Sequence, residues 1–159
     1  MTRPWSAPCY VGEVDQAWVD YNGHMRDAFY LLPMSMASDE MMNRIGLDER
    51  GRSLLGHTLY TLEAHLHFLA EARLGARIEV GSRLVEHDAK RLRLCHLMYL
   101  GAERRLCAAS EQLLINIDVA SGRSTPFADR VVARIDHGID AAEALEWRQW
   151  AGQRIALKK

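Results

Sequence analysis

An aspartate, a sharp bend and a histidine fall together at Asp20-Tyr21-Asn22-Gly23-His24. Asn22-Gly23 is a strong turn signal, because glycine and, less readily, asparagine adopt positive φ. Beyond the bend Tyr30, Met34, Ala37, Met41 and Ile45 recur at intervals of four, three, four and four, the spacing of one face of a helix. A strand, a tight turn and a helix in that order bring the Asp20 carboxylate close to the first helical turn, whose N–H groups lack intrahelical partners and carry the positive end of the dipole. A carboxylate can attack a carbonyl carbon or take a proton from water, and free N–H donors can hold an oxygen as it gains charge. The same residues also suit a simpler role, an Asx turn or a helix cap.

The surrounding elements decide whether such a group is held in place. Residues 9–19 read as a short first strand that delivers Asp20. The helix is predicted from Asp27 to Ile45, stopped by Gly46. Pro33 lies inside it, which predicts a kink near Tyr30 to Leu32 or a helix in two pieces. Its mostly apolar composition predicts burial on most sides, with the charged end at Asp39, Glu40 and Arg44 in solvent. Residues 46–56 are polar and punctuated by glycine, and read as a loop. Four strands are predicted after it, at 57–69, 75–86, 90–100 and 105–119. In the first of these Tyr60, Leu62, Ala64, Leu66 and Phe68 alternate with Thr61, Glu63, His65 and His67. The short links around Arg73-Leu74-Gly75, His87-Asp88-Ala89 and Gly101-Ala102-Glu103 suit antiparallel hairpins. One helix followed by consecutive antiparallel strands is an α+β arrangement, with the helix on one face of the sheet. A shorter helix is predicted from Pro126 to His137, and 141–150 is a helical candidate whose Trp147 and Trp150 pack on the sheet or on a neighbour.

The chain has 159 residues, which suits one domain over 1–159 with 138–159 as a C-terminal extension. Its 20 Lys and Arg against 21 Asp and Glu leave no general electrostatic reason to bind nucleic acid or a membrane surface. The N-terminus lacks the apolar core of a signal peptide, and no apolar run approaches the ~20 residues of a membrane span, so the expected location is the cytoplasm. Cys9, Cys95 and Cys107 are widely spaced and read as small core hydrophobes, not a disulfide framework. His65-x-His67 puts two imidazoles on one strand face, but no third ligand follows at a convincing spacing and no metal is expected.

Three further features keep two readings each. His24 is either a base or a hydrogen-bonding group that shapes the turn. Glu63, at the middle of its strand, is either a solvent-facing carboxylate or part of a site. Lys90-Arg91-x-Arg93 is either a solvated hairpin or a set of cations for a phosphate-bearing ligand.

Asp20-x-x-Gly23-His24-Met25, with Tyr30 six residues after the histidine, resembles the signature of hotdog-fold acyl-CoA thioesterases of the hydroxybenzoyl-CoA thioesterase group. The resemblance extends over roughly residues 8 to 135. It implies a hotdog fold, a curved antiparallel sheet wrapped around a long central helix, and an activity that hydrolyses an acyl-CoA to free acid and coenzyme A. The run 20–25, with Leu59-Tyr60-Thr61-Leu62-Glu63-Ala64-His65 and Ala109-Ser110-Glu111-Gln112, looks especially like the betainyl-CoA thioesterases linked to carnitine breakdown. Such a substrate carries a trimethylammonium group, which aromatic faces and carboxylates complement. Trp18, Tyr21, Phe29, Tyr30 and Tyr60 are available as faces, and Glu63 as the charge.

The resemblance makes Asp20, Gly23, His24 and Asp27 the catalytic group, Asp27 through its backbone N–H. Asn22, Tyr30, Tyr60, Glu63, Lys90 and Arg91 become the substrate-binding group. Arg26 departs from the asparagine that many family members carry, so the family's role for that side chain is not carried over, while the backbone part of the argument stands. Coenzyme A enters as part of the substrate, no other cofactor is implied, and the expected assembly is a homodimer or homotetramer. Two other activities stay open: an acyl-CoA-binding protein without turnover, and an enoyl-CoA hydratase on the same fold.

Overall fold

The computed structural model describes residues 5–141 and 147–157. Its centre is helix α1 (Asp27–Arg44), followed by a shorter α2 (Glu49–Leu55). Strands β1 (Tyr10–Glu13), β2 (His57–Phe68), β3 (Arg77–His87), β4 (Arg91–Leu100), β5 (Arg105–Asp118) and the two-residue β6 (Arg123–Ser124) form one antiparallel sheet. Helix α3 (Asp129–Asp140) follows them. The sheet order is β1-β3-β4-β5-β2, with β6 added beside β5. This is the α+β class that the sequence pattern predicts and the hotdog arrangement that the resemblance implies, a curled sheet around α1.

Met34, Ala37, Met41 and Ile45 of the helix are fully covered, and Ile78, Val80, Leu84, Leu92, Leu94 and Met98 meet them from β3 and β4. At the middle of this core lies a polar node. His96 on β4 has no exposed surface; its Nε2 is 2.9 Å from Ser38 Oγ on α1 and its Nδ1 is 2.7 Å from Ser82 Oγ on β3. Ser38 Oγ also lies 3.3 Å from Gln112 Oε1 on β5. Burial pushes the His96 imidazole down to about 3, against a hydrogen bond with Gln112 that raises it. The central helix is thus keyed to three strands by neutral hydrogen bonds.

Several expectations need correction. The helix is one unbroken element through Pro33, whose ring is buried. Packing on the sheet outweighs the single ladder bond that proline removes. Arg44 does not reach solvent: it pairs with Glu40 at 3.1 Å and donates to the carbonyls of Trp5, Ala7 and Pro8, so it holds the N-terminal segment over the end of α1. Leu31 and Met36 leave one side of α1 open. The stretch read as a loop contains α2, capped by Asp48 Oδ1 on the Gly51 N–H at 2.7 Å and closed by Gly56 in the left-handed conformation. The first strand is shorter than predicted, ending at Glu13, and a 3₁₀ turn at Gln16–Trp18 follows it. The second helix begins three residues after Pro126.

The largest correction concerns β2. It pairs with β5, not with β3, so the link over 69–76 is a crossover instead of a hairpin turn. That leaves β2 at the edge, with its apolar face only partly in the core: Leu66 packs against the core, whereas Tyr60, Leu62 and Phe68 are more than half exposed. The register of β2 on β5 shifts between Thr61 and Glu63, a bulge in the middle of the edge strand.

The opposite face of the sheet carries a second apolar cluster of Cys95, Leu97, Tyr99 and Ala109. Trp147 and Trp150 cover it, with Gly152 N donating to Glu111 Oε2 at 2.6 Å and Gln153 O lying 3.0 Å from His65 Nδ1. The indoles therefore pack on the sheet, as their burial cost requires. Residues 148–150 form a 3₁₀ turn, and the rest of the predicted helix at 142–146 lies outside the described residues. No helix among the described residues is long and apolar enough to cross a membrane.

Candidate active site

The Asp20 turn is built by its own backbone. Val19 bridges Met25, Asp20 N donates to His24 O at 2.8 Å, and Arg26 N donates to Trp18 O at 2.9 Å, so the chain doubles back over a few residues. Gly23 closes the bend with φ of +75°, a conformation that side chains disfavour. Asp20 Oδ1 accepts from the N–H of Asn22 at 2.8 Å and of His24 at 3.0 Å. Among the described residues Oδ2 accepts no hydrogen bond. The His24 N–H above all, with that of Asn22, holds the Asp20 carboxyl below the usual carboxylate range, so it is ionised at neutral pH.

Asp20 does form an Asx turn, but it does not cap α1. The N-cap of that helix is Arg26, which offers no side-chain cap. In the first turn the Ala28 N–H goes to Asp27 Oδ1 at 2.8 Å and the Phe29 N–H to Arg26 O at 3.0 Å. The N–H of Asp27 precedes the first intrahelical bond and belongs to the donors that a helix leaves unpaired at its start.

The crossover that displaces β2 supports this turn. Met25 N donates to Ala72 O at 2.8 Å and Leu74 N to Gly23 O at 3.0 Å, while His24 bridges Arg73. The His24 imidazole is turned toward this segment, its Nε2 3.6 Å from Glu71 Oε2. Tyr30 fixes the same segment from the helix side. Its hydroxyl accepts from Ala72 N at 3.1 Å and donates to Ala70 O at 3.3 Å, and its ring meets Phe68 edge-on at 5.2 Å. The Tyr30 hydroxyl is thus committed inside the fold, where it holds the 70–72 backbone. Tyr30→Phe would strand the buried Ala72 N–H, and it is expected to lower stability by about 1–3 kcal/mol in urea unfolding. A change within about 0.5 kcal/mol would show that the hydroxyl does not hold the segment.

Asp20, Asn22, Gly23 and His24 therefore lie on one loop that leads into Asp27 at the start of α1, with Tyr30 behind it. Tyr60 and Glu63 do not join them within the chain: both are exposed on the edge strand, Glu63 opposite Leu113. Lys90 and Arg91 stand at the β3–β4 hairpin, beyond His87, whereas the Asp20 turn adjoins the segment leading into Arg77 at the other end of β3. Arg91 is also held by Asp88, with Nη2 to Oδ2 at 2.6 Å. Sequence reasoning read Arg73-Leu74-Gly75 as a hairpin turn and gave the 70–74 segment no part in the site, since Ala70-Glu71-Ala72-Arg73 carries no motif and comes to the turn only through the crossover. The cysteines offer no alternative nucleophile: burial pushes the thiols of Cys95 and Cys107 up to about 12.

The model of the thioesterase-like superfamily matches residues 14–135. A betainyl-CoA thioesterase of Pseudomonas aeruginosa is 47% identical over 140 residues, covering 88% of each chain. An L-carnitine dehydrogenase/betainyl-CoA thioesterase of Agrobacterium fabrum is 39% identical over 78% of this chain, which spans 25% of that larger protein. A putative thioesterase of Pseudomonas putida superposes with a TM-score of 0.83 at 40% identity, covering 97% of this chain and 98% of that one. A Staphylococcus aureus protein solved in complex with CoA superposes with a TM-score of 0.86 at 27% identity, covering 96% and 97%. The chain belongs to the thioesterase-like superfamily: it is a hotdog-fold thioester hydrolase.

Proposed function

We propose that this protein hydrolyses betainyl-CoA to glycine betaine and coenzyme A at the Asp20 turn. The observation that carries the reading is the Asp20 carboxylate, ionised and steadied through Oδ1 by two backbone N–H groups while Oδ2 is left for chemistry. That oxygen either adds to the thioester carbon, giving an acyl-enzyme anhydride that water then opens, or takes a proton from water so that the oxygen of water adds instead. Both routes break the C–S bond, release the thiol and leave the acid. The N–H of Asp27 steadies the thioester oxygen as it gains charge, and a preorganised donor of this kind is worth roughly two to three powers of ten in rate. Gly23 sets the bend, and His24 keeps the turn on the 70–74 segment.

The identity to the Pseudomonas aeruginosa betainyl-CoA thioesterase supports the choice of acyl group. Trp18 and Phe29 stack with centroids 6.3 Å apart beside the turn, and their faces suit a trimethylammonium group. The working unit is a homodimer or a homotetramer. The exposed apolar side of β2, a 12-residue strand with one free edge, favours pairing with a second copy. Antiparallel pairing of two such edges runs the His57 end of one beside the Phe68 end of the other, which carries Tyr60 and Glu63 of the partner subunit toward the Asp20 turn.

Thiol release from betainyl-CoA and from a neutral acyl-CoA of similar size tests the assignment. Hydrolysis of betainyl-CoA should be favoured by roughly 2- to 30-fold, the range that cation–π contacts supply. Equal rates would remove the cation part, and loss of an enoyl chromophore without thiol would favour a hydratase.

A further inference from the structure

Beside the Asp20 turn an open groove of about 780 Å³ runs between the 69–76 crossover and the β4–β5 hairpin. Three guanidinium groups, from Arg73, Arg77 and Arg105, line it against the carboxylates of Glu71 and Glu103. Two of these charges are already engaged: Glu71 faces His24, and Arg77 pairs with Glu79 at 2.7 Å. Arg73 makes no ion pair among the described residues, and Arg105 makes only a long 3.5 Å contact to the Glu71 carbonyl. The groove begins at Arg73, the residue bridged to His24, and leads away from the turn toward β5. Its volume lies within the 300–1,000 Å³ typical of small-molecule sites.

A thioester is uncharged at its reacting end and a betainyl group is cationic, so the anionic part of such a substrate is its phosphorylated nucleotide. Guanidinium forks match phosphate oxygens in pairs. We propose that this groove binds the nucleotide end of the CoA thioester, with Arg73 and Arg105 on its phosphates. The proposal rests on the thioester reading above and assigns the phosphates a place other than Lys90 and Arg91.

Adenosine 3′,5′-bisphosphate carries the nucleotide phosphates without a thioester, so its binding by calorimetry tests the groove independently of turnover. The intact protein should bind it, bind adenosine at least about tenfold more weakly, and lose at least about tenfold in the Arg73→Gln/Arg105→Gln pair. Equal binding of adenosine, unchanged binding in the arginine pair, or loss confined to Lys90→Gln/Arg91→Gln would each overturn the proposal. The adenosine comparison uses unaltered protein and does not depend on the variant folding. Bisphosphate binding without thiol release from any acyl-CoA would sink the hydrolase reading and leave the groove standing.

Discussion

Asp20→Asn is expected to lower hydrolysis by about 10²- to 10⁴-fold, the contribution of a positioned general base or nucleophile, and to leave the fold intact. The reason lies in how the carboxylate is shared. Its Oδ1 accepts both backbone bonds of the turn, and an amide oxygen can accept the same two. The substitution therefore removes the charge and the second oxygen, with little effect on the loop. Thiol release and a thermal melt on the same preparation separate the two effects. A rate within tenfold of the wild type, with the melt unchanged, would assign activation of the thioester to another group. The pH profile adds a sign. Because the His24 and Asn22 N–H groups hold the carboxyl below its ordinary value, the active ionised form persists into acid, and the acid limb of the rate should fall below about pH 3.8.

His96→Gln is expected to flatten the loss of stability in acid. In the fold the imidazole titrates at about 3, and in the unfolded chain near 6.5, so the folded state resists taking up the proton. The stabilisation this provides is complete above pH 6.5 and is lost as pH falls from there toward 3. The limiting slope is about 1.4 kcal/mol per pH unit for one proton, so the full effect is on the order of a few kcal/mol. Burial lowers the His87 imidazole, but Asp136 and the Asp88 carbonyl raise it further, so His87 contributes with the opposite sign. It is common to both proteins and cancels in the comparison. Between pH 6.5 and 4 the depressed carboxyls of Asp88 and Asp118 have largely yet to titrate. Urea unfolding at several pH values in this window should show a shallower slope for the variant, whatever it loses at pH 7. Parallel slopes would mean that the imidazole reaches water before the protein unfolds.

The sequence made α1 legible almost to the residue, because five apolar positions at helical spacing ended at a glycine. The strands were legible for the same reason, each being a run of alternating side chains between turn residues. Their partners were not. Nothing in Ala70-Glu71-Ala72-Arg73-Leu74-Gly75 distinguishes a hairpin turn from a crossover; the difference lies in Tyr30 and Gly23, which claim that segment's backbone bonds. The polarity of 46–56 hid α2, although Asp48 before Glu49 and Gly56 after Leu55 are its start and stop signals. The Asp20 turn was legible because turn chemistry is local. Tyr60, Glu63, Lys90 and Arg91 illustrate the opposite case, since a binding role for them requires knowing which end of which strand they occupy.

The two indoles laid against Cys95, Leu97 and Tyr99 restrict how copies of this molecule can be assembled. In a homo-oligomer such as the one proposed above, that surface is closed to a second sheet as long as the indoles lie on it, which leaves the rim of β2 and the helices as faces open to another copy.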